Sequence, residues 1–339
     1  MKLHWPWRRS EAQDRLAIHG SDEAVVYAHA DAAGRLKRCG VARRGEDSPH
    51  DFDRQLRGLG LPARGVCAVL ALADGQLLQI EAPAVRPEEM KAAARWKVKD
   101  LVSSRLDELT IDVMNVGDER RPAARQLFVA AARNDTIRSL VEQSHARGLE
   151  VSVVDLAETG QRNLQSALAQ ADGLGERATA ALVRHGALCL LTICARGELF
   201  YARRLDWEDA VAAEQAQPAT AGPQLLDLHS ADFVDYGAEQ AASGPGQAEA
   251  PRLVIEIQRS LDLWERSWPD LPLAAVWVQV GADSAELAAL LQAALGQRVG
   301  VLDAERVFPG FGAAAGSDVV REAVFPLLGA LLRHEVRRL

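Results

Sequence analysis

Met90–Val116, MKAAARWKVKDLVSSRLDELTIDVMNV, decides how this chain is read. Pro87, Glu88 and Glu89 precede it. Proline and acids suit the first turn of a helix, where N–H groups are unpaired and the dipole is positive. Met90, Ala94, Val98 and Leu101 recur at four, four and three residues and form one apolar stripe. The spacing predicts a helix over 87–102. Leu109, Ile111 and Val113 alternate with Thr110 and Asp112, which predicts a half-buried strand. Trp96 falls off the stripe, among Arg95, Lys97 and Lys99. Two readings of it stay open: packing against a neighbouring loop, or marking an interface.

Around this stretch the pattern is strand, helix, strand, strand, helix, strand over 77–155, a split-βαβ unit. Upstream, 15–30 reads as a strand pair, 36–42 as an extended segment, 51–59 as a helix and 66–72 as a buried strand. Downstream, 160–168 reads as a helix, and 179–205 as two antiparallel strands turning at Arg196-Gly197. Leu253, Ile257, Leu261, Trp264 and Trp268 make a strong helical stripe that Pro269 ends, with its tryptophans in the core. Strand AAVWVQV, helix SAELAALLQAALG and strand RVGVLD follow. Asp283 and Glu286 read as the cap of that helix, and Gly296 as its stop. A Leu-rich helix is expected over 326–336.

The chain thus divides into a polar, aromatic arm (1–14), a first half (15–168) holding the inserted unit, and a second half (179–339). Residues 209–251, rich in Ala, Gln, Pro and Gly, read as a flexible surface excursion. In the arm, Trp5 and Trp7 beside Lys2, Arg8 and Arg9 suit a bilayer interface.

The 339 residues are 48% hydrophobic and 25% charged, with a formal net charge of -8. That balance argues against a general nucleic-acid binder, which needs a basic face. No apolar run approaches the ~20 residues that span a bilayer, and LHWPWRR running into SEAQDR is no signal core. A cytosolic chain with peripheral membrane contact is the expectation. Cys39, Cys67, Cys189 and Cys194 form no C-x-x-C pair and read as buried thiols; the eight histidines show no ligand spacing, so no metal site is expected.

The order helix, R-W-K-V-K-D-L, short link, L-D-E-x-x-I-D-V resembles the MshI branch of the PilM-like proteins of type IV pilus systems, MshI being that of the mannose-sensitive haemagglutinin (MSHA) pilus. R-S-L-D-L-W-E-R-S-W-P and V-W-V-Q-V-G-A-D resemble the same family's later helix and adenosine-loop strand. The resemblance implies an α/β, actin-like (ASKHA) two-domain fold with an inserted small 1C-type subdomain. It also implies ATP between the halves, held by two aspartate-led phosphate loops and a glycine-rich third.

The residues argue against that cofactor. Where the first loop calls for G-I-D-I-G-S, the chain has Ala17-Ile18-His19-Gly20-Ser21, with Ile18 or His19 at the acid position. The second has Arg184 in place of the acid, then His185 and Gly186; the third keeps Gly281 alone. An arginine beside Mg²⁺ is unfavourable, although it could meet a phosphate directly. The expectation is a degenerate site at Ile18, Gly20, Ser21, Arg184, Gly186 and Gly281, without catalysis and without a bound cofactor.

The resemblance further implies a non-catalytic scaffold at the inner face of the inner membrane. Its partner would be the cytoplasmic tail of a PilN-like single-pass protein, and through it other pilus assembly components. Arg95, Trp96, Val98, Lys99, Leu101 and Val102 are the candidate contacts, with Asp107, Glu108 and Asp112 as charge partners for the tail. The competing readings are an actin-like ATPase or sugar kinase, and the L-type component of type II secretion.

Overall fold

The computed structural model describes residues 14–117, 126–207 and 252–333. The aromatic arm and the 209–251 excursion lie outside the described residues, as does the end expected for the last helix.

Two five-stranded sheets repeat one plan. In the first, β1 (Arg15–Gly20), β2 (Ala24–Ala30) and β3 (Leu36–Arg43) form an antiparallel meander, and β4 (Val66–Val69) and β8 (Val151–Asp155) add in parallel, in the order β3-β2-β1-β4-β8. In the second, β9 (Ala178–His185), β10 (Leu188–Ala195) and β11 (Glu198–Asp206) form the meander, and β12 (Leu273–Gln279) and β13 (Val299–Val301) add in parallel, in the order β11-β10-β9-β12-β13. Parallel strands need crossover helices, and these cover the sheet faces.

The helices stack the sheets into layers. On the outer face of the first sheet lie α1 (Pro49–Gly58) and α3 (Asn134–Ala146), which bury Phe52 and Leu56 of α1 against Val25, and Leu140 of α3 beside Ile18 and Leu149. Between the sheets run α4 (Ala157–Ala171) and α8 (Asp318–Leu331), with α7 (Phe311–Ala315) beside them. They share one core with Ala17, Ala28 and Cys67 of one sheet and Ala181, Val183 and Trp277 of the other. On the far face lie α5 (Arg252–Ser267) and α6 (Ser284–Leu295). Trp264 of α5 is 1% exposed; its indole N–H donates to the Leu271 carbonyl at 3.1 Å, and Phe200 meets it edge-on at 5.8 Å. The helical tryptophans are core, as the stripe predicts. All four cysteines are buried and free.

The inserted unit is smaller than its sequence pattern. Its sheet has three antiparallel strands in the order β5-β7-β6: β5 (Gly75–Glu81), β6 (Leu109–Asn115) and β7 (Gln126–Arg133). The expected last strand, β8, pairs in parallel with β4 instead, Val69 opposite Asp155. Helix α3 leaves with it. Hydrophobic period identifies a strand but not the sheet it joins.

Three other boundaries differ. The helix α2 (Met90–Lys97) starts after a 3₁₀ turn at Pro87–Glu89 and ends five residues early. Val98 is its last anchor, wholly buried in the insert core, and the chain turns there. The 179–205 region holds three strands, because Gly186, at φ +67°, makes a second tight turn. Helix α8 begins at Asp318, where Ser317 Oγ accepts from Val320 N at 3.3 Å, and it carries Pro326 inside. Reading Pro326 as a first-turn proline truncated it by two turns.

Helices α4 and α8 cross backbone to backbone. A β-carbon on Gly329 would lie 1.7 Å from the Gly160 carbonyl oxygen. Asn163 Nδ2 donates to Gly329 O at 3.1 Å and fixes the register. Gly329→Ala would gain about 1 kcal/mol of helix propensity, but overpacking against rigid backbone costs about 1–3 kcal/mol. We expect net destabilisation, read as a lower denaturant midpoint with an unchanged slope. A variant as stable as the parent would show that the crossing has slack.

Candidate functional site

A cleft of about 420 Å³ opens between the two halves. Its walls come from β1 (His19), the β9–β10 turn (Arg184, His185, Gly186), the end of β12 (Gln279, Gly281) and α8 (Glu322, Phe325). The three loops expected to hold a nucleotide therefore do converge. Their side chains do not act as that role requires.

Strand alternation sorts the first loop. Ala17 belongs to the core between the sheets and His19 lines the cleft, while Leu16 and Ile18 face the opposite side. Ile18 is buried behind the sheet, and Gly20 backs onto Arg147, whose Nη1 would lie 3.3 Å from a β-carbon there. Neither reaches the cleft, which corrects the expected set; the residue at the acid position is His19. Its Nδ1 donates to the Val69 carbonyl at 3.0 Å. Ser21 Oγ accepts from the N–H groups of Glu23 and Ala24, both at 3.2 Å, so the hydroxyl closes its own turn. Arg147 holds that turn from behind, donating to Ser21 O at 3.0 Å and to Asp53 at 3.1 Å.

The second loop is engaged with itself. Arg184 Nε donates to Gly186 O at 3.0 Å, and its guanidinium stacks over Trp207 at 4.7 Å from the ring centre. Gly186 serves the turn. Burial also acts on His185. Its pKa is pushed down to about 4, by loss of water first, then by the charges of Arg204 and His19.

At the third loop, Gly281 has φ +85°, and the room its missing side chain leaves is taken by Glu322: a β-carbon would sit 1.7 Å from Glu322 Oε1. Ser284 Oγ, not the expected Asp283 and Glu286 pair, anchors this turn. It accepts from Val280 N at 2.9 Å and lies 2.6 Å from Gly281 O.

Magnesium with a nucleotide does not fit these residues. Among the described residues Glu322 is the one carboxylate in the lining, and it stands beside Gly281, where it opposes anions. Two acids that sequence reading missed lie close by, at the start of α4. Asp155 accepts from Leu156 N at 3.0 Å and from Arg333 at 2.6 Å. Glu158, 2% exposed, binds Arg204 at 2.7 Å. Both face structural partners, and neither lines the cleft. In the sequence Asp155 reads as the end of a strand and Glu158 falls before the helix expected over 160–168, so neither stands out.

On the insert the expected contact residues separate. Trp96 is 70% exposed and Lys99 is exposed beside it. Val98, by contrast, is 0% exposed in the insert core, so it supports the surface and cannot touch a partner. Leu101 and Val102 are half-buried against the same core. Arg95 donates to the carbonyls of Leu106 and Leu109, clamping the link to β6. Lys97 pairs with Glu81, Lys91 with Asp112 and Arg105 with Asp107.

His185 gives this site a measurable pH dependence. The folded chain holds it neutral to about 4, against an ordinary value of 6.5. The contribution is fully present above about 6.5 and is lost as pH falls toward 4, up to about 3 kcal/mol. His185→Asn should flatten the stability curve over that window in denaturant titrations at stepped pH. Equal slopes for both proteins would remove His185 as the cause.

Residues 57–215 match the family model described as type IV pilus assembly protein PilM. Among solved structures, the PilM–PilN type IV pilus biogenesis complex superposes with a TM-score of 0.64 at 16% identity, covering 94% of this chain and 98% of that one. A Bacteroides thetaiotaomicron protein with an actin-like ATPase fold and unknown function gives 0.43 at 10% identity over 88% and 94%. The cytoplasmic domain of EpsL, an inner-membrane component of the Vibrio cholerae type II secretion system, gives 0.40 at 13% over 57% and 71%. No curated protein matches in sequence. The family match over 57–215 and the superposition over nearly the whole chain identify an actin-like, two-domain fold of the PilM-like type.

Proposed function

We propose that this chain is a non-catalytic scaffold of a type IV pilus assembly machine, of the MSHA-like, MshI branch. It stands at the cytoplasmic face of the inner membrane and holds the cytoplasmic tail of a PilN-like single-pass protein. The family match and the PilM–PilN superposition support the pilus role. The observation that carries the binding mode is Trp96, 70% exposed on a helix that buries Ala94 and packs Val98 into the insert core. Large aromatic side chains left in water on a rigid element commonly anchor an interface, with charges around them setting orientation. The cleft supports the scaffold half of the reading. His19 and Arg184 stand where metal-organising acids are needed, Ser21 is tied into its own turn, and Glu322 fills the glycine corner.

Calorimetry with MgATP should register no binding at micromolar concentrations and no turnover. A micromolar dissociation constant, with hydrolysis that Arg184→Ala abolishes, would replace the scaffold with an ATPase.

Trp96→Ala should melt close to the parent, because an exposed ring contributes little to the core. A buried one would cost about 3–5 kcal/mol. The same variant should bind a PilN-like N-terminal peptide at least tenfold more weakly, about 1.4 kcal/mol. Parent-like affinity in a well-folded variant would exclude this surface.

A further inference from the structure

The insert touches both halves. Chain continuity and an apolar cluster of Leu70, Ala132 and Leu156, with Leu77 and Ile137, fix it to the first. Three separate contacts fix it to the second. Gly117 N donates to Leu199 O at 2.7 Å. That approach excludes a side chain: Gly117 sits at φ +63°, and a β-carbon would lie 2.3 Å from the Phe200 ring. Val116 and Phe128 pack with Cys194 and Leu199, with Trp268 against them. Arg204 of β11 donates to Gly75 O of β5 at 2.7 Å while holding Glu158 of α4 at 2.7 Å.

The two halves otherwise meet through α4, α7 and α8, which share one apolar core with both sheets, and α4 and α8 cross where Gly160 meets Gly329. A joint of that kind allows two packed bodies to rotate. A second bridge through the insert removes that freedom, because rotation must then break the Arg204–Gly75 and Gly117–Leu199 hydrogen bonds and an apolar contact together. Arg204 also stands near enough to His185 for its charge to help depress that group, so the brace ends at the wall of the cleft.

We propose that the insert is a brace that blocks rotation of the halves about the α4–α8 joint, with Arg204 and Gly117 as its pins. The cleft then keeps one width, and the chain presents its surfaces in one fixed arrangement. This deepens the scaffold reading and rests on it only for its purpose; the mechanical claim concerns the described residues alone.

The test is a distance measurement between spin labels on cysteines introduced at Lys37 of the first sheet and Glu286 of α6, both exposed. The four native thiols are buried, and burial raises their pKa values, so they resist labelling. The parent should give one narrow distribution. The double variant Glu158→Gln/Arg204→Gln, which leaves no unpaired buried charge, should widen it at least twofold. Gly117→Ala should do the same from the other pin. A broad or two-peaked parent distribution overturns the proposal without any variant. So does a folded double variant as narrow as the parent. Peptide binding in the Trp96→Ala experiment is read independently, so loss of the tail surface and loss of the brace are separate outcomes.

Discussion

The arrangement of the whole molecule depends on one backbone contact, Gly160 against Gly329. Each sheet is hydrophobic on both faces and needs a helix on each. The inner faces share one layer, α4 and α8, so these two helices must cross within the space between the sheets. With side chains at the crossing, helix axes stand about 8–10 Å apart. Two glycines let them approach until carbonyl oxygen meets Cα. Each helix is then held to its surroundings by polar bonds that cannot slide. Gln161 donates to carbonyls of β9 and β10, at 3.0 and 2.9 Å, and Gln165 to Thr179 O at 2.7 Å. Arg15 donates to Leu331 O at 2.9 Å and ties the end of α8 to β1. The polar bonds of α4 thus reach the second sheet and that of α8 the first, and the glycines join the helices.

That geometry decides where a cleft can exist. Helix α8 runs from the cleft at Glu322 to the base of β1, so its first turns form one cleft wall. In an enzyme this wall would leave room for a base. Here the glycine that should admit a ligand admits Glu322 instead. The two phosphate-loop positions carry His19 and Arg184, each already bonded to a carbonyl. The three loops converge, but Ser21 and Arg184 hold the protein's own turns and His19 holds the neighbouring strand. Such a site contributes stability where a catalytic one would draw on it.

Much of this was legible in the sequence, for identifiable reasons. An antiparallel strand turn opening each half showed as apolar runs around a glycine, although the Gly186 turn and the extra strand it makes did not. The α5 stripe put Trp264 in the core because five apolar residues kept helical phase. The missing acid at Ile18 or His19, Arg184 in place of the second, and the single glycine kept at Gly281 were visible through the resemblance. What failed was everything that depends on which face or which sheet. Ile18 and His19 differ by one residue, and only strand register says which one looks into the cleft. β8 has the period of a strand whether it pairs with β4 or with β7. Val98 lay on the apolar stripe and Trp96 off it, and burial follows that division; naming Val98 as a partner contact went against its place on the stripe. Asp155 and Glu158 did not stand out because their partners, Arg333 and Arg204, are distant in sequence and arrive only with the fold.

The insert makes sense in the same terms. A three-stranded sheet with one short helix buries a small core and would be marginal alone. It gains stability by leaning on both halves, and it does so through residues without side-chain freedom: Gly75 against Leu156, Gly117 against Phe200. Those contacts use the insert's inner surfaces. The outer surface, α2, is left to carry Trp96 and Lys99 on a support that the rest of the molecule holds still. A tryptophan on a mobile loop would lose ordering entropy on binding. On this helix, anchored by Val98 beneath and clamped by Arg95 at its end, the ring is held in place with little left to order.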